Sequence, residues 1–96
     1  MKVIKRSGKK VDYEKGRILN AIRKVGEEVK GGLPQSRLEE LTNIVDQRVK
    51  DRYQEPHVEQ IQDIVENVLI EEKYTKMAKE YILYREKHAQ ERKEWI

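Results

Sequence analysis

The sequence has no cysteine and no phenylalanine, and only two prolines and two histidines in 96 residues. Without cysteine there is no disulfide staple, no thiolate nucleophile and no Cys-based zinc site. His57 and His88 are too few for a metal site built from histidine alone. No run of about 20 apolar residues is present to span a bilayer, and the first residues have no apolar stretch of the signal-peptide kind. The expectation is a cytoplasmic chain with no membrane partner. Walker, G-x-G-x-x-G and H-E-x-x-H signatures are missing, as is any set of nucleophile, base and orienting group. The carboxylates lie on strongly charged segments, where a solvated face is their ordinary role. Neither catalytic nor metal-ligating residues are therefore assigned. With 36% hydrophobic and 6% aromatic content, one small core is all the chain can build.

What the sequence does have is charge. Charged residues make up 41% of the chain, against roughly 25% in an average globular domain. Because 21 Lys and Arg nearly balance 18 Asp and Glu, the net charge is only +3 and demands no polyanionic partner. The imbalance is local: Lys2, Lys5, Arg6, Lys9 and Lys10 all precede the first acid, Asp12. This stretch alternates loosely around Ser7-Gly8, a dipeptide suited to a tight turn, and predicts strands over Lys2–Arg6 and Lys9–Tyr13. A two-residue loop would set Ile4 opposite Val11 on one face and Val3 and Lys5 with Lys10 and Asp12 on the other. A slip of one residue would exchange those faces. A lone hairpin is marginal in water, so helices must cover it.

From Tyr13 the period becomes 3.6. Ile18, Ile22, Val25 and Val29 form the stripe of a first helix, widened by Leu19 and Ala21, with Asp12 as the expected N-cap and Gly31-Gly32 and Pro34 as the stop. Ser36-Arg37-Leu38-Glu39 has the form of a capping box for a second helix, with stripe Leu38, Leu41, Val45 and Val49 and Ile44 beside it. That helix runs to about Tyr53 and is broken at Glu55-Pro56. A third carries Val58, Ile61, Ile64, Val65, Val68 and Leu69, ending near Glu72 to Thr75. A fourth shows Tyr74, Met77, Tyr81, Tyr84 and His88 in register, with Ala78 and Ile82 alongside. The residues from Gln90 to Lys93 are polar, and Trp95-Ile96 is expected to be an exposed apolar ending. The predicted fold class is mainly α, a small four-helix bundle capped by an N-terminal β-hairpin. Residues 1–93 form its single domain and 94–96 a C-terminal tail.

The basic hairpin has two readings. Lysines commonly protect strand edges from pairing. A compact group of cations can also face an anion: one Lys at 4 Å from a phosphate contributes roughly 4 kcal/mol of gross Coulomb energy at an effective dielectric near 20.

Taken together, Val3-Ile4-Lys5-Arg6-Ser7-Gly8, then Val11 and Tyr13, then Lys15 to Ile22, the stretch Ile61 to Leu69, and the closing Tyr81-Ile82-Leu83-Tyr84-Arg85 resemble the ATP-cone. This is the allosteric nucleotide-binding domain at the N-terminus of many ribonucleotide reductases, and the resemblance covers nearly the whole chain. Ser7 stands where an acidic residue is often found in the turn. The resemblance implies a site for ATP or dATP, with accompanying Mg²⁺, between hairpin and bundle. Val3 and Ile18 would line the adenine pocket, with Val11, Tyr13 and Glu14 at its rim, and Lys5, Arg6 and Arg17 would meet the phosphates. Val58 and Gln62 on the third helix and His88 on the fourth occupy further contact positions, with Tyr84 in reach of the site. Val58 cannot donate a hydrogen bond, so His57 beside it is the substitute donor. The implied function is a noncatalytic regulatory domain that senses ATP and dATP to control ribonucleotide reductase activity or assembly. Its implied partners are a reductase catalytic domain or another host protein, and further copies of itself. The alternative is a nucleotide-responsive transcriptional regulator or nucleic-acid-binding module. In this family that role goes with a zinc ribbon, which a chain without cysteine lacks, and a net +3 gives weak retention on nucleic acid at physiological salt. Nucleic acid is therefore not an expected partner.

Overall fold

Gly8 decides how the N-terminal strands meet. The computed structural model describes residues 1–90 and 95–96. In it β1 (Lys2–Ile4) and β2 (Lys10–Asp12) pair antiparallel, with Lys2 opposite Asp12, Val3 opposite Val11 and Ile4 opposite Lys10. The Gly8 amide donates to the Lys5 carbonyl and the Lys5 amide to the Lys9 carbonyl, both at 2.9 Å. Gly8 itself sits at φ 88°, a left-handed conformation that glycine adopts without strain. The result is a three-residue loop closed by a left-handed residue, one longer than the Ser7-Gly8 loop expected. That single residue shifts the register by one. Val3 now faces Val11, and strand alternation puts Lys5 on the same side as Val3, which is fully buried.

Helix starts also depart from their expected caps. α1 (Lys15–Lys30) begins after Glu14, because Asp12 is committed to the β ladder and to Lys2, 2.5 Å away. Its end is as expected, at Gly31 in the left-handed region with φ 73°. α2 (Gln35–Arg52) starts from Pro34, whose carbonyl accepts from the Arg37 and Leu38 amides at 3.0 and 3.1 Å. Ser36 therefore lies inside the first turn and the Ser36–Glu39 box does not form. Proline's fixed φ already suits the start of a helix, so the hydroxyl is not needed there. α3 (Val58–Glu71) follows His57, whose amide is held by the Gln60 side chain at 2.9 Å, and α4 (Thr75–Gln90) completes the set. Among the described residues, no helix is long and apolar enough to cross a membrane.

α1 and α3 each pack against both α2 and α4, which makes a four-helix bundle. Ile18, Ile22 and Val25, then Leu41 and Val45, then Ile61 and Val65, and finally Met77 and Tyr81 meet in one continuous core. The hairpin contributes Val3 to that core and is also tied in through its backbone. The Ile4 amide donates to the Pro56 carbonyl at 2.9 Å, and Ile4 forms a parallel bridge with His57. The hairpin is thus anchored to the segment that launches α3.

Trp95 and Ile96 correct the expectation of an exposed ending: they are only 9% and 3% exposed. They return to the hairpin and join its apolar face, which removes their side chains from water. The expected boundary between residues 93 and 94 lies outside the described residues.

One buried group should cost the fold stability. Tyr81 is fully buried and its hydroxyl has no hydrogen-bond partner among the described residues, while burial pushes its ionisation well above the ordinary tyrosine range. An unsatisfied buried hydroxyl costs about 1–3 kcal/mol, so Tyr81→Phe is expected to stabilise the domain by about 1 kcal/mol. Urea denaturation checks this; a loss of stability would reveal a partner for the hydroxyl.

Candidate functional site

Three elements converge at the hairpin end of the bundle. Past β1 the chain presents Lys5 on the Val3 side. On α1, Arg17, Asn20 and Lys24 follow one another at spacings of three and four and so share a face. On α4, Tyr84 and His88 are one turn apart with ring centroids 4.0 Å apart. These six residues, with Trp95 and Ile96, line a cleft of about 410 Å³. A neighbouring recess of about 280 Å³ is lined by Val11, Asp12 and Glu14 and shares Lys5, Arg17 and Trp95 with the cleft.

The charge of the cleft is one-sided. Lys5, Arg17 and Lys24 line it with His88, and none of its lining side chains is a carboxylate. Glu14 pairs with Arg17 from the recess side. A larger cleft of about 580 Å³ lies elsewhere, beside Arg6, Glu66, Arg85 and Glu86. Its lining itself holds the carboxylates of Glu66 and Glu86, and Arg85 binds Asp63 at 2.7 Å and Glu66 at 3.2 Å while Arg6 reaches Glu59 at 3.4 Å. Size favours that cleft as an anion site, but the charge balance favours the first, and charge is what a polyphosphate reads.

The structure places the sequence-predicted residues in three groups. Lys5, Arg17, Tyr84 and His88 meet in the cleft, and Val11 and Glu14 adjoin it in the recess. Tyr13 stands beside Trp95 with ring centroids 5.9 Å apart and donates its hydroxyl to Asp46 at 2.5 Å. Burial, with Asp46 adding to it, pushes the Tyr13 hydroxyl well above the usual range and holds it protonated. Val3 and Ile18 lie fully buried in the core. The remaining four are apart from the cleft lining. Val58 and Gln62 are buried on α3, His57 precedes that helix, and Arg6 lines the larger cleft. The Gln62 Oε1 is buried with no partner among the described residues.

Sequence reasoning missed Asn20, Lys24, Trp95 and Ile96. The first two carried a usable signal, since positions three and seven after a candidate phosphate contact fall on its helical face. Trp95 and Ile96 carried none, because a return contact after the last helix has no periodicity. Among the described residues no group of three or more His, Cys, Asp or Glu is arranged to hold a metal ion.

The ATP cone domain family matches residues 1–90 of the chain. A vitamin B12-dependent ribonucleoside-diphosphate reductase from Thermoplasma acidophilum is 44% identical over 97 residues, which cover 96% of this chain and 12% of that protein. The chain thus spans a small fraction of that relative's length.

Proposed function

The chain belongs to the ATP-cone family, a family of noncatalytic regulatory domains whose membership implies nucleotide binding, and from that premise we propose that its cleft takes ATP or dATP and reports nucleotide level to a ribonucleotide reductase. The observation that carries the reading is the cleft with Lys5, Arg17 and Lys24 on its walls and no acidic side chain in its lining. A triphosphate of charge about −4 finds several cations there at charge-assisted hydrogen-bond range, each such bond being about twice as strong as a neutral one. His88 adds a further donor, and Tyr13 and Val11 offer apolar surface for the base above the buried Val3 and Ile18. Arg6, His57, Val58 and Gln62 enter the proposal through family resemblance alone.

Magnesium would enter on the nucleotide. A hard cation of this kind is commonly held by phosphate oxygens and water with one or two carboxylates, and it would neutralise part of the triphosphate charge. No acidic side chain of the lining competes with the phosphates for it.

Control of a host follows if the nucleotide prefers one arrangement of hairpin and α4 over another, since a ligand shifts an equilibrium only by its differential affinity. The reductase relative makes a reductase catalytic body the first candidate host. Calorimetric titration with Mg²⁺ is expected to show saturable binding of ATP and dATP and weaker binding of GTP and CTP. Absence of binding by both adenine nucleotides would overturn the reading. In the complete host protein, dATP is expected to favour a larger assembly than ATP. Light scattering measures this, and equal masses with no ligand, ATP and dATP would remove the regulatory part alone.

A further inference from the structure

We propose that Trp95 and Ile96 are an intramolecular competitor for the nucleotide, with the indole held where the base would lie. The inference rests on the cleft being the nucleotide site. Trp95 lines both the cleft and the recess, as Lys5 and Arg17 do, so it stands where the two spaces meet. It is a flat bicyclic ring beside the Tyr13 ring, and its Nε1–H donates to the Asp12 carbonyl at 3.0 Å. Adenine offers the same combination, a flat bicycle with an N–H donor in its amino group. Guanine presents a carbonyl oxygen in that place, which the Asp12 carbonyl would repel.

The backbone of the tail imitates the rest of the ligand. The Trp95 carbonyl accepts from Arg17 Nη1 at 3.4 Å, and the main-chain oxygen of Ile96 accepts from the Tyr84 hydroxyl at 3.3 Å. Both donors belong to the cleft, and both are occupied while the tail is in place. These two bonds lie at the long end of hydrogen-bond geometry, so the tail's hold on the polar groups of the cleft is weaker than its apolar packing. Ile96 also takes φ 76°, a left-handed conformation that a branched side chain adopts only under strain. A nucleotide with stronger charge-assisted bonds to Arg17 can therefore displace the tail, and its entry turns a buried indole and isoleucine into exposed apolar groups.

The test uses the whole chain. Trp95 is its single tryptophan, so emission reports the indole directly. Titrating the wild type with Mg-ATP is expected to shift Trp95 emission to the red and to increase its quenching by acrylamide. Trp95→Ala is expected to bind Mg-ATP roughly tenfold more tightly, the gain when an occupant closing the site nine parts in ten is removed. Far-UV dichroism checks that the variant keeps its four helices. Equal affinity for wild type and variant, with no change in emission, would overturn the competitor while leaving the nucleotide site standing. Weaker binding by the variant would also overturn it, by making Trp95 a surface on which the base stacks. Failure of both proteins to bind ATP would defeat the nucleotide site, and the competitor with it.

Discussion

Replacing Lys5 with alanine is expected to weaken ATP binding by about 1–3 kcal/mol, a rise of roughly five- to 150-fold in Kd, with the helical content unchanged. The size follows from position. Lys5 is carried by the hairpin loop, outside the core, and it lines both the cleft and the recess. Its loss removes one of the cations that line the cleft. Arg6→Ala is expected to act in the same direction and by less, because Arg6 lines the larger cleft and not this one. Lys79→Ala is the control, an exposed lysine on α4 outside the cleft lining. Calorimetry at two salt concentrations separates specific contact from general attraction, since screening weakens both but only contact depends on which lysine is lost. Equal effects at Lys5 and Lys79 would reduce the cleft to a generally basic surface.

Truncating Ile18 to alanine is expected to cost about 2–5 kcal/mol of stability. For a domain of this size each kcal/mol moves Tm by about 4–8 °C, so a fall of roughly 10 °C or more should be seen. Ile18 is fully buried on α1, in the same cluster as Val3 of the hairpin and Ile61 of α3. Its removal leaves a cavity where hairpin and bundle join, and the surroundings can close it only in part. Since domains are typically stable by about 5–15 kcal/mol, the loss is a large share of the whole. Any effect of this change on nucleotide binding must therefore be measured well below the new midpoint. Urea denaturation with an unchanged m-value checks the prediction; a change under about 0.5 kcal/mol would mean that Ile18 is not part of the core.

Helical periodicity was legible because burial acts on a stripe, and a stripe is written every three to four residues. Ile18, Ile22 and Val25, like Leu41, Val45 and Val49, are core residues at the spacings that predicted them. Gly31-Gly32 ended α1 because glycine alone enters the left-handed region freely, a property of the residue rather than of its neighbours. Helix starts were less legible. Asp12 and Ser36 both had the chemistry of a cap, but Asp12 was taken by the β ladder and Ser36 by a turn that Pro34 had already begun. Where two local preferences compete for one residue, packing chooses.

The amino-acid sequence by itself determined the four helices, the basic hairpin and the absence of cysteine chemistry, because propensity, period and composition are properties of neighbouring residues. Tertiary structure alone decided the rest. The loop's third residue set Val3 opposite Val11, the bundle brought Arg17 on α1 to the same cleft as Tyr84 and His88 on α4, and Trp95 came back to Asp12 across 83 positions of sequence. Such contacts are stabilised by apolar burial and a few directional bonds between residues far apart in the chain, and no local pattern records which distant surface a residue will meet.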